Sequence, residues 1–187
     1  AQRLAVGVPR LEARLDQPTD VLVGPDGSLF VADNLNNRIR RLDAAGLIDT
    51  IAGTGSAVQH APIDGRPGIE TILSRPTGLA FGPDGSLYFC DVKFHIVRRI
   101  GPGGIVTTVA GGSDPLGPVR DGGPARLAGL FHPSDVVFDS QGDLYIADTS
   151  HHRIRRVDIY GRITTIAGTG EAGSTGDGGP ATEARLS

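Results

Sequence analysis

The sequence predicts an all-β fold made of three β-propeller blades, each a four-stranded antiparallel unit, and three observations carry that reading. The segments Leu29-Phe30-Val31-Ala32-Asp33, Leu87-Tyr88-Phe89-Cys90-Asp91 and Leu144-Tyr145-Ile146-Ala147-Asp148 recur at intervals of 58 and 57 residues. Each keeps the same landmarks around it. Pro18, Pro76 and Pro133 precede it, Arg40-Arg41, Arg98-Arg99 and Arg155-Arg156 follow it, and Thr50-Ile51-Ala52-Gly53, Thr108-Val109-Ala110-Gly111 and Thr165-Ile166-Ala167-Gly168 close the unit. The 28 Gly and 13 Pro show no three-residue period, so they punctuate many short strands instead of forming a collagen-like chain.

Within a unit, four short runs rich in Val, Ile, Leu, Phe and Tyr are too brief for helices and suit strands. Pro25-Asp26-Gly27-Ser28 and Pro83-Asp84-Gly85-Ser86 mark the turn between the first two. Apolar residues fall at both parities, as a sheet covered on both faces requires. A tandem sandwich or an open β-solenoid is the alternative that this period leaves open.

The repeat divides the chain into 1–15, the last strand and connector of a preceding blade; 16–53, blade 1; 54–75, a connector; 76–111, blade 2; 112–132, a connector; 133–168, blade 3; and 169–187, a connector toward a further blade. Leu4-Ala5-Val6-Gly7-Val8 matches Val109-Ala110-Gly111 and suggests the strand in the first segment. Three blades do not close a ring of the usual four to eight, and they leave two blade faces uncovered. Two expectations follow: a cut from a longer propeller, which the absence of Met also suggests, or a half-propeller that self-associates as a homodimer into a six-bladed ring.

Net charge of −3 and a pI near 5.9 argue against a general nucleic-acid binder. Seventeen of the eighteen basic residues are Arg, with Lys93 the sole Lys, which favours planar pairing with carboxylates. Cys90 stands alone and reads as a small buried hydrophobe. There is no apolar run long enough to span a bilayer and no secretory leader pattern, so no membrane partner is expected. An extracellular, periplasmic or cell-surface setting is favoured, though the lone Cys does not decide it.

With these motifs the chain resembles the NHL-repeat family: Pro-x-Gly/Asp-Leu/Val, then Gly-x-Leu-Tyr-Ile-Ala-Asp, then His/Asn-x-Arg-Ile-Arg-Arg-Val-Asp, then Gly-x-Ile-Thr-Thr-Ile-Ala-Gly, best kept in residues 133–168. The long Gly-rich connectors resemble bacterial and teneurin-like NHL units. The resemblance implies a mostly six-bladed propeller that binds protein, RNA or another ligand, with lyases and hydrolases among related propellers. It does not choose among them.

Asp33, Asp91 and Asp148 end the second strand of each unit, with Arg40, Arg98 and Arg155 on the third. A role repeated in every blade builds the blade, so these are expected as buried structural pairs. The loops between those strands differ and are expected to bind: Asn34, Asn36 and Asn37; Lys93, Phe94 and His95; Ser150, His151 and His152. The leading expectation is a scaffold for a protein, peptide or glycan, with no catalytic residue and no required cofactor. The resemblance to peptidyl-amidoglycolate lyases implies an alternative, a zinc-dependent lyase or hydrolase using His95, His132 and His152, in which Asn37 breaks the set. A single-stranded RNA platform is the third reading and conflicts with the acidic pI. Asp64-Gly65-Arg66-Pro67, Asp121-Gly122-Gly123-Pro124 and Asp177-Gly178-Gly179-Pro180 read as tight turns before short helical pieces, with a Ca²⁺ loop as the other use of their carboxylates.

Overall fold

A computed structural model describes residues 8–9, 11–56 and 63–187. Blade 1 is β2 (Pro18–Val23), β3 (Leu29–Asp33), β4 (Arg38–Leu42) and β5 (Leu47–Ala52). Blade 2 is β7 (Pro76–Phe81), β8 (Leu87–Asp91), β9 (Ile96–Ile100) and β10 (Ile105–Ala110), and blade 3 is β11 (Pro133–Phe138), β12 (Leu144–Asp148), β13 (Arg153–Val157) and β14 (Ile163–Ala167). Each blade is an antiparallel meander in sequence order. The turns follow their chemistry: Asp26 accepts from the Ser28 N–H at 3.0 Å while Gly27 takes φ 78°, a conformation glycine adopts without cost.

Two apolar clusters form where neighbouring blades face one another. Leu22, Phe30, Ala32 and Ile39 of blade 1 meet Leu79, Phe81, Leu87, Phe89 and Val106 of blade 2. Ala80, Tyr88, Cys90 and Val97 of blade 2 then meet Val136, Phe138, Leu144 and Ile146 of blade 3. Each fully buried Leu, Ile or Phe removes enough apolar surface from water to contribute about 1.5–3 kcal/mol. An edge-to-face ring pair recurs at both junctions, Phe30–Phe81 at 5.2 Å and Tyr88–Phe138 at 4.7 Å between centroids. Cys90 is buried among these groups, and its thiol is pushed well above the usual range by burial, so it serves as packing volume.

The connectors latch blade to blade along the outer strands. The Gly53 and Thr54 N–H groups donate to the Gly68 and Thr71 carbonyls, both at 3.0 Å, behind blade 1. The preceding dipeptide, β6 (Arg66–Pro67), meanwhile pairs with β10 of blade 2. The second connector repeats this: Gly111 donates to the Ala125 carbonyl, and Gly122 to the Ile163 carbonyl of blade 3. The short pieces expected after the Asp-Gly-x-Pro turns are single 3-10 turns, Gly68–Glu70, Ala125–Leu127 and Ala181–Glu183.

The strand expected at Leu4 to Val8 lies mostly outside the described residues. Its last residue, Val8, forms β1 (Val8–Pro9), which adds to the outside of β5 of blade 1 itself. The assignment to a preceding blade is therefore corrected for Val8. Pro9 holds the place of Pro67 and Pro124, and so β1 is a latch of blade 1.

Candidate functional site

The second strand of every blade ends on a fully buried Asp. Asp33, Asp91 and Asp148 each accept a main-chain N–H from the incoming connector: Asp16 at 2.8 Å, Ser74 at 2.7 Å and Phe131 at 2.7 Å. Arg40, Arg98 and Arg155 stand 3.5 Å away on the third strand. In each pair a carboxylate and a guanidinium taken out of water compensate each other.

A third donor completes two of these Asp sites and is missing from the other. Asn36 donates to Asp33 at 3.0 Å, and His151 Nδ1 lies 2.8 Å from Asp148 Oδ2. The same position in blade 2 is Phe94, which has nothing to donate, and Asp91 Oδ2 is left without a hydrogen bond among the described residues. Burial then pushes the Asp91 carboxyl up to about 7, against the pull of the Ser74 N–H and Arg98.

The next residue in each loop is left-handed: Asn37 at φ 52°, His95 at 59° and His152 at 52°. These side chains clasp the following blade. Asn37 Oδ1 accepts the Arg75 N–H at 2.9 Å, and His95 Nδ1 accepts the His132 N–H at 3.1 Å. Arg75 and His132 are themselves left-handed, which turns their N–H groups toward the clasp. A further tie is lateral, from the Leu79 N–H to Asp20 Oδ2 at 2.6 Å.

At the junction of blades 2 and 3 the clasp gathers four rings. His95 lies 4.5 Å from His132 and 5.2 Å from Phe131, Phe131 stacks on His132 at 4.6 Å, and His151 approaches Phe131 at 5.8 Å. Burial, with Lys93 and the neighbouring imidazoles adding repulsion, holds His95 below the usual range; burial and Lys93 do the same to His132. Both rings are therefore neutral near pH 7. With Nδ1 of His95 accepting, its Nε2 carries the proton and is the donor left for a ligand.

Of the loop residues expected to bind, Asn34, Asn36, Asn37 and His151 spend their polar groups inside the protein, Asn34 donating to the Pro76 carbonyl at 3.1 Å. Lys93 is exposed, and Ser150 faces His132 Nδ1 at 3.1 Å. Phe131, which sequence reasoning missed, joins the imidazoles into one surface; it precedes an inner strand, outside the loops that differ.

The zinc set implied by resemblance does not fit these residues. Nδ1 of His95 and of His132 are engaged, both nitrogens of His151 face oxygens, and among the described residues His152 takes part in none of the ring contacts. Two Nε2 atoms remain where a catalytic zinc needs three protein ligands. The Ca²⁺ alternative meets a similar difficulty. Asp64 Oδ1 accepts the Thr108 N–H and hydroxyl at 2.9 Å each, and Asp121 Oδ1 accepts the Thr165 N–H at 3.0 Å and Arg155 at 2.8 Å.

A concavity of about 520 Å³ opens at the opposite, hairpin end between blades 1 and 2. Phe30, Phe81, Leu87 and Pro102 line it, with Asp26 and Arg41 at the rim.

Comparison with known proteins agrees with this architecture. The NHL repeat model matches residues 132–157, which hold the inner strand, the Asp148 turn and the Arg155-Arg156 pair of blade 3. Teneurin-m of Drosophila melanogaster is 32% identical over 170 residues, covering 84% of this chain and 6% of its own. This chain belongs to the NHL-repeat family. It spans only a small part of that relative's length. Among solved structures, a protein of unknown function from Bacteroides thetaiotaomicron superposes with a TM-score of 0.66 at 23% identity, over 89% of this chain and 39% of that one. Virginiamycin B lyase from Staphylococcus aureus superposes at 0.54 with 18% identity, over 83% and 42%. At these identities the likeness is one of fold. The blades here thus share their scaffold with a lyase and with a protein of unknown function.

Proposed function

We propose that this NHL segment is part of a binding scaffold that presents the His95–Phe131–His132 surface to a peptide or glycan. The observation that carries the reading is the continuous face of neutral imidazoles and one phenyl ring at a blade junction, with Lys93, Ser134, Thr149 and Ser150 around it. Aromatic faces give apolar contact at low entropic cost, and the surrounding hydroxyls and ring N–H groups orient a polar ligand. The similarity to teneurin NHL regions supports an interaction role in general terms.

Blade 1 supplies the variant for the test. His95→Asn combined with His132→Gln installs the residues of Asn37 and Gln17, which keeps the clasp acceptor while removing both imidazoles. On glycan and peptide arrays at pH 7 the native chain should bind a restricted set that the double variant loses while remaining folded. Retention of the set by the double variant, or its loss with Arg41→Ala at the hairpin-end cleft, would overturn the proposal.

A further inference from the structure

Blade 2 departs from its two sisters on its outer half, and three departures fall together there. Ile96 opens its third strand where blades 1 and 3 have Arg38 and Arg153. Those two guanidinium groups donate to the Thr54 and Thr169 carbonyls at 3.3 and 2.7 Å. They fill the space beside the strand so closely that a Cβ on Gly55 or Gly170 would lie 2.5 Å from them. Phe94 replaces Asn36 and His151, the donors to the buried Asp. Gly112 replaces Thr54 and Thr169, whose N–H groups donate to the Thr71 and Ala184 carbonyls, and it makes no hydrogen bond among the described residues.

Each departure gives up an internal bond, and together they border a pocket of about 470 Å³. Phe94 and Ile96 form its apolar wall, and Asp64, Arg126, Gly112 and Ser113 its polar side. A chain that forgoes bonds it makes in its other repeats is expected to do so where it has a function. The volume suits a small ligand.

Charge narrows the chemistry of that ligand. Asp64 Oδ2 and Arg126 Nη2 stand 2.9 Å apart, so an anion meets the carboxylate, a cation meets the guanidinium, and either disturbs a pair already made. The Ser113 hydroxyl donates to the Leu127 carbonyl and is left to accept, while Gly112 has both an N–H and a carbonyl to offer. An uncharged ligand whose groups both donate and accept satisfies this set. A C–H face on the same ligand satisfies the phenyl ring and the isoleucine, and hydroxyls on a saturated ring combine the two.

We propose that this pocket binds the pyranose ring of an uncharged monosaccharide, its C–H face on Phe94 and its hydroxyls on Asp64, Arg126 and Gly112. The site stands apart from the imidazole face, since among the described residues none of its side chains joins the ring contacts of His95, Phe131 and His132.

NMR titration of the chain with glucose, galactose, mannose and N-acetylglucosamine tests this. A single ring in an open pocket binds on the order of millimolar, too weakly for an array to retain. The amides of residues 94, 96 and 111–113 should shift saturably with at least one of the four. Cyclohexanol, acetate and methylguanidinium, which carry the ring alone or a charge alone, should bind about tenfold more weakly. Ile96→Arg restores the side chain of blades 1 and 3 and should abolish the shifts. Phe94→Asn gives Asp91 its donor and leaves the chain folded, yet it should weaken binding about fivefold by removing the wall. His95→Asn with His132→Gln should retain binding. No shift with any of the four sugars, tighter binding of acetate or methylguanidinium, or indifference to both Ile96→Arg and Phe94→Asn would overturn the proposal. So would loss of sugar binding in the imidazole double variant alone, because the sugar would then sit on the other face.

Discussion

Phe94 shows how one side chain alters a group it does not touch by hydrogen bond. Asn36 and His151 complete the shells of Asp33 and Asp148, whereas Phe94 leaves Asp91 one donor short and its carboxyl raised to about 7. A carboxyl raised from its ordinary 3.8 makes a contribution fully present below pH 3.8, lost as pH rises through about 7. Above pH 7 the folded protein therefore carries the full cost of an incompletely bonded buried carboxylate. Phe94→Asn restores the donor, and after the loss of the half-buried ring it should stabilise the chain by about 1 kcal/mol at pH 8, less at pH 5. Thermal melts at the two pH values measure this; a gain larger at pH 5 would refute the account. The Asp and Arg constants were legible in the sequence because their spacing recurs. The missing donor was not, since only the fold shows that the third loop residue faces the carboxylate.

At the scale of elements, the connectors do more than turn the chain. Asp121 and Asp177 sit in the same Asp-Gly-Gly-Pro sequence, yet Asp121 holds the Thr165 N–H and hydroxyl and the buried Arg155, while Asp177 holds no partner among the described residues. Asp121→Ala should therefore cost about 2–4 kcal/mol by stripping a buried guanidinium of its nearest carboxylate. Asp177→Ala should change stability by less than about 0.5 kcal/mol, as at an ordinary surface position. Denaturant unfolding of the two variants compares them directly; equal losses would show that the motif acts locally as a turn and not as a latch. Reading the motif as a turn captured the role of its Gly and Pro. Its Asp was misjudged, because its partners lie 34 and 44 residues away in sequence.

For the whole molecule, the junction of blades 2 and 3 couples folding to pH through two imidazoles held below their ordinary 6.5. The unfolded chain binds protons first as pH falls, so this contribution is present above about 6.5 and lost as pH falls toward the folded values. His95→Asn with His132→Gln removes both titrations. The difference in melting temperature between the native chain and the double variant should shift against the native chain from pH 7 to pH 5.5; a constant difference would mean that both rings are protonated alike in the two states.

The sequence by itself determined the blade count, the strand order and the buried Asp–Arg pairs, because each depends on local pattern: turn residues, β-propensity and a 57-to-58-residue period that brings like residues to like places. The tertiary structure alone decided what the differing loop residues do. Asn37 and His95 looked like surface ligands and are clasps between blades, and Phe131 looked like connector and stands among the imidazoles. The physical reason is that a clasp joins a side chain to a main-chain N–H 37 or 38 residues away, in another repeat. A main-chain donor is present at every residue except proline, so composition cannot reveal which one is turned to meet a given acceptor; that depends on left-handed backbone at both ends and on the stacking of one blade against the next.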